Sequence, residues 1–126
     1  MIATRSLRAP GKLTEKEVLE KLRPLCLALP DATETVMFGH PTFQVYQKTF
    51  CVVEEYQGEL SICVKVGKEN QAAFLRDPRF YRTPYVGRHG WVSLKVNAAP
   101  VNWKEVAQLV EQSYKAVLSK PKRKRS

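Results

Sequence analysis

The chain has 126 residues, 44% hydrophobic and 26% charged, which is the size and balance of one globular domain. No apolar run approaches the ~18 residues of a membrane span, and the opening MIATRSLRAPGKL lacks an apolar signal core, so a cytoplasmic protein without a membrane partner is expected. The formal charge of +9 is concentrated at the ends, since residues 13–119 hold 13 basic and 12 acidic side chains. The expected organisation is a flexible basic segment (1–12), one domain (13–119) and a basic tail (120–126).

Thr14 and Glu17 form a T-x-x-E capping box and predict a helix start, followed by Val18, Leu19, Leu22, Leu25, Cys26 and Leu29 at helical spacing. Pro24 predicts a kink or break, and Pro30 closes the segment. Strands are expected over 34–38, ended by Gly39-His40-Pro41, then over 42–46, 49–56 and 59–66. A two-residue Gln57-Gly58 loop would pair Tyr56 with Glu59, Val53 with Ile62 and Cys51 with Val64. That register places Cys51, Val53, Ile62 and Val64 on the core face, and Lys48, Phe50, Val52, Tyr56, Cys63 and Lys65 on the other. A short helix over 68–76, an irregular stretch over 79–90, a strand over 91–96 and a helix opening at Asn102 complete the chain. The helix's inward stripe is Val106, Leu109, Val110, Ser113 and Val117, and Pro121 ends it. The order predicts an α+β fold, an antiparallel sheet with helices packed on one face and the terminal helices flanking it.

The chemistry-bearing residues are sparse. Cys26, Cys51 and Cys63 are odd in number and lack C-x-x-C spacing, so reduced, packed thiols are expected rather than a disulfide or zinc site. Only His40 and His89 are present, which excludes a three-histidine metal centre. No P-loop, dinucleotide or nucleophile-elbow motif occurs, so no cofactor and no catalytic residue is expected. Catalysis by Cys51 or Cys63 would require a thiol that reacts unusually fast at neutral pH.

The stretch RFYRTPYVGRHGW over 79–91 interleaves Phe80, Tyr81, Tyr85 and Trp91 with Arg79, Arg82, Arg88 and His89, with no acidic residue from 79 through 104. Guanidinium groups beside aromatic faces suit phosphate contact plus base stacking, although Arg88 on Trp91 or Tyr85 as a cation–π pair serves equally well structurally. The candidate nucleic-acid contacts are therefore Lys48, Arg79, Arg82, Arg88, His89 and Trp91, with Lys122, Arg123, Lys124 and Arg125 in the tail.

Leu29-Pro30, Phe38-Gly39-His40-Pro41-x-Phe43, Lys48-x-Phe50 and Gly87-Arg88-His89-Gly90-Trp91, in this order and with these gaps, resemble the MmcQ/YjbR family of small, mostly bacterial proteins. The resemblance runs from Thr14 to Leu118 and marks Phe38, Gly39, Pro41, Phe43 and Gly90 as signature positions, with Lys48, Arg88, His89 and Trp91. It implies a frataxin-like fold and a DNA-binding role that rests on likeness to the double-wing fold of a phage transcription factor. The chain departs from the family pattern at Gln47, where glycine is usual, and at Gln44, where arginine is frequent. The reading that follows is a non-enzymatic DNA-binding module, with a monomer favoured. The alternative is a protein- or anion-binding module with His40, Phe43, Arg88, His89 and Trp91 around one pocket. Iron binding would need an acidic ridge, and Glu15, Glu17 and Glu20 are offset by Lys16, Lys21 and Arg23.

Overall fold

A computed structural model describes residues 12–119. The expectations for the terminal segments, including Lys122, Arg123, Lys124, Arg125 and the stop at Pro121, lie outside the described residues. Three helices, α1 (Glu15–Leu27), α2 (Lys68–Leu75) and α3 (Trp103–Leu118), accompany six strands: β1 (Ala32–Met37), β2 (His40–Val45), β3 (Lys48–Tyr56), β4 (Glu59–Lys65), β5 (Phe80–Arg82) and β6 (Trp91–Lys95). The sheet is antiparallel with the order β1-β2-β3-β4-β6-β5. The predicted α+β architecture is the observed one.

The capping box forms as read: Thr14 Oγ1 accepts from the Glu17 N–H, and Glu17 Oε1 accepts from the Thr14 N–H. α1 does not break at Pro24. It runs on to Leu27, because Val18, Leu22 and Cys26 are held in the core on both sides of the proline.

Strands β1 to β4 form a meander joined by three two-residue loops, Phe38-Gly39, Tyr46-Gln47 and Gln57-Gly58. Both residues of every loop have positive φ, the requirement of the hairpin turn that matches strand twist. Gly39-His40-Pro41 is therefore not a break. His40 and Pro41 already belong to β2, pairing with Met37 and Val36. Gln47, at φ 65°, occupies a position that glycine fills without strain, and the Tyr46 hydroxyl offsets this by donating to Asp31 Oδ2 at 2.7 Å. Gln47→Gly is expected to stabilise the fold by about 1 kcal/mol, the cost of holding an L-residue left-handed. Urea denaturation checks this, and a destabilised variant would contradict it.

The β3–β4 register is the predicted one, with Cys51 opposite Val64, Val53 opposite Ile62 and Tyr56 opposite Glu59. One face assignment changes. Between β2 and β3 the pairing skips a residue, from Phe43↔Cys51 to Gln44↔Thr49, so Phe50 is the extra residue of a bulge. Phe50 is thereby fully buried in the helix-side core, where it meets the Tyr114 ring edge-on at 5.4 Å, instead of facing outward. The core lies between this face and the helices, with Phe43, Val45, Phe50, Ile62, Val92, Val106 and Val110 among its members.

The stretch 79–90 is more ordered than expected. Phe80–Arg82 forms β5 against β6, and Gly87–His89 forms a 3-10 turn. α2 crosses between β4 and β5, with Phe74 packed edge-on against Phe80. Among the described residues, no helix is long and apolar enough to cross a membrane.

Candidate functional site

The strand alternation leaves one sheet face without a helix, and its middle is made of small residues. Ser61, Cys63 and Ser93 point there from β4 and β6 and are buried. The Ser93 hydroxyl lies 3.2 Å from Cys63 Sγ and 2.8 Å from Thr83 Oγ1, and Ser61 Oγ lies 3.1 Å from the Tyr81 hydroxyl. Larger groups stand at the margins, with Tyr56 stacked on Tyr81 at 6.1 Å. On this face lies a groove of about 640 Å³, lined by His40, Val52, Glu54, Tyr56, Cys63 and Trp91 among others.

Two aromatic side chains border this groove almost wholly in solvent. Phe38 is 92% exposed at φ 53°, and Tyr85 is 93% exposed at φ 68°. Trp91, at 8% exposure, is a buried lining residue, so its predicted role as a stacking surface for nucleic acid is corrected. His40 Nε2 lies 3.7 Å from Glu54 Oε1. Burial pushes the Cys63 thiol up to about 12, and the Cys26 hydrogen bond together with burial raises Cys51 well above the ordinary thiol value. Both thiols are thus held protonated at neutral pH, a poor setting for a nucleophile.

A second hollow, of about 550 Å³, opens at the end of the sheet where β4 turns into α2. Lys65, Lys68, His89 and Lys115 line it, with Glu69 as its carboxylate. The 3-10 turn docks here because the Gly90 carbonyl accepts from the Val66 and Gly67 N–H groups at 2.8 and 3.1 Å. Arg88 is exposed beside it, with Nε donating to His89 Nε2 at 3.3 Å. Lys48, Lys65, Lys68 and Arg88 have no carboxylate partner among the described residues, while Lys115 pairs with Glu111 at 3.3 Å.

The structure thus brings His89, with Arg88 exposed beside it, together with Lys65, which the sequence also places on the outer hairpin face with Lys48, and with Lys68, which no sequence signal marks. Lys48 is exposed at the start of β3 and does not line the hollow. Arg82 stays exposed, with its stem lying against Gly87, where a Cβ would stand 2.4 Å from Arg82 Cγ. Arg79 is corrected. Its guanidinium donates to Glu105 at 2.8 Å and to Asp77 at 2.7 Å, which raises its pKa and lowers that of Asp77, so it braces α3 to β5. Asp77 stands two positions before Arg79 in the sequence, and the fold brings the second partner, Glu105, from 26 positions away. Arg88 makes no cation–π contact; the one among the described residues is Arg79 over Phe80 at 5.3 Å. The single pocket expected around His40, Phe43, Arg88, His89 and Trp91 is also corrected. His40 and Trp91 line the open-face groove, His89 lines the basic hollow, and Phe43 is sealed in the core. Of the signature positions, Phe38 and Gly39 form a hairpin tip, Pro41 lies in β2, and Gly90 holds the 3-10 turn. No group of three or more His, Cys, Asp or Glu among the described residues is placed to hold a metal ion.

The YjbR family model matches residues 27–116, from the end of α1 through most of α3. The chain belongs to the YjbR family. Solved structures carry the same fold. A Deinococcus radiodurans protein with a DUF419 domain superposes with a TM-score of 0.69 at 23% identity, covering 84% of this chain and 82% of that one. A Pseudomonas syringae protein superposes with a TM-score of 0.67 at 14% identity, covering 83% of this chain and 99% of the other. No curated protein matches the chain. The YjbR match ends near the basic hollow, so Ser119, which lines it, lies just beyond the matched residues.

Proposed function

We propose that this YjbR-family protein is a non-enzymatic DNA-binding module whose folded body meets phosphates at the basic end of the sheet. One observation carries the reading: Lys65 and Lys68 line a concave end of the sheet together with His89, Arg88 stands exposed beside it, and none of the three cations has an ion-pair partner among the described residues. Cations that are not already neutralised release counterions when they meet phosphates, which provides a favourable, salt-sensitive association. Arg79 is outside this set because two carboxylates already occupy it. The 3-10 turn places Arg88 on a rigid support, since its flanking Gly90 is bonded to the start of α2.

Fluorescence anisotropy with a short DNA duplex, for the full chain and a chain ending at Ser119, tests the reading at two salt concentrations. The shortened chain is expected to retain salt-dependent binding. Arg88→Ala and Lys65→Ala are each expected to reduce affinity and to lower the salt slope by about 0.9 per lost phosphate contact. Binding that disappears with the tail, or that ignores both substitutions, would overturn the assignment to the folded body.

A further inference from the structure

We propose that the open-face groove is a binding site for a small organic cation with an aromatic or short apolar body. The groove shares no lining residue with the basic hollow, so this inference stands apart from the nucleic-acid reading. Its volume of about 640 Å³ falls within the range of sites that enclose small molecules.

The charge of the lining selects the ligand. Among the described residues, no Lys or Arg lines this groove, while Glu54 and Glu55 both do. His40, beside Glu54, is the one basic side chain of the described lining. An anion would therefore find no complementary charge, whereas an ammonium group would meet the Glu54 carboxylate directly. The apolar floor of Val52 and Trp91 accepts the body of such a ligand. Phe38, Tyr56 and Tyr85 supply the exposed rings that attract a desolvated cation.

One rim aromatic gives an independent reason to read the groove as a site. Tyr85, outside the hairpin turns, holds a left-handed backbone that costs a non-glycine residue roughly 1–2 kcal/mol. It does not recover that cost by burial, since its ring stands in solvent, as does that of Phe38, which the β1–β2 turn presents. Strained backbone that holds an unburied ring at the mouth of a cavity is a pattern of ligand clamps.

An amide-proton NMR titration of the full chain with phenethylamine, phenethyl alcohol and phenylacetate tests the proposal, because the three probes share a phenyl body and end in a cationic, a neutral and an anionic group. Phenethylamine is expected to shift the signals of Val52, Cys63 and Trp91 and to bind more tightly than the alcohol, with phenylacetate the weakest. Glu54→Gln is expected to weaken amine binding about tenfold, the loss of one charge-assisted contact, and to leave the alcohol unaffected. Tyr85→Ala, at an exposed position that the core does not use, is expected to weaken both. Equal binding of all three probes, tighter binding of phenylacetate, shifts confined to other surfaces, or an unchanged amine affinity in Glu54→Gln would each overturn it.

Discussion

Gly90→Ala is expected to destabilise the protein by more than about 3 kcal/mol, well beyond what a left-handed alanine costs by itself. Gly90 sits at φ 90°, ψ 25°, and a Cβ there would approach Gly67 C and Lys68 N to 2.7 Å. Those atoms are backbone at the start of α2, so the contact is relieved only by separating the 3-10 turn from the β4–α2 junction. That separation would break the two hydrogen bonds accepted by the Gly90 carbonyl. Gly58 provides the control. It has φ 83° and open space where a Cβ would stand, so Gly58→Ala should cost only about 1 kcal/mol. Urea denaturation of the pair separates the close approach from the dihedral cost, and equal losses would show that the approach is unimportant. Because the same turn carries Arg88 and His89, Gly90→Ala should also weaken DNA binding on the reading proposed above.

Ser113→Ala is expected to cost about 2–4 kcal/mol, a large effect for removing one oxygen atom. The bulge at Phe50 opens the β3–β4 ladder where the Phe50 carbonyl would otherwise take the Lys65 N–H. The fully buried Ser113 hydroxyl fills the gap, donating to the Phe50 carbonyl at 2.6 Å and accepting from Lys65 N at 2.8 Å. Alanine would leave a buried carbonyl and an amide without partners, and each orphan costs roughly 1–3 kcal/mol. Ser119→Ala removes an exposed hydroxyl bonded to the Lys115 carbonyl and should change stability by less than about 0.5 kcal/mol. A Ser113→Ala protein as stable as the parent would mean that the hydroxyl does not close the ladder.

Local features of the fold were legible wherever one residue type has one physical use. Thr14 with Glu17, Asn102 at the start of α3, and Gln57-Gly58 at a hairpin each act within a few positions. The bulge was not legible, because an alternating strand pattern looks the same whether or not one residue is inserted, and Phe50 suits either face. β5 is hidden because its three residues, Phe80–Arg82, show too little alternation to read. Arg79 looked free because Glu105 arrives from another element. The groove brings together Val52 on β3, Cys63 on β4 and Trp91 on β6, and β4 and β6 are neighbours only in the folded sheet. No local pattern in the sequence joins these three residues, and only their adjacency in the sheet makes a hollow.

The position of α3 also has a consequence during synthesis. This helix covers β3 and β4, pairs with α1, and ties back to Pro30 through the Tyr114 hydroxyl at 2.7 Å. A ribosome must therefore complete nearly the whole domain before the apolar face of the meander acquires its lid. The four hairpin-linked strands can align early, since their loops are two residues long, but that face stays wet until the final helix has left the exit tunnel. Nascent chains stalled before Trp103 should accordingly recruit chaperones that bind exposed apolar surface, and chains released beyond Leu118 should not.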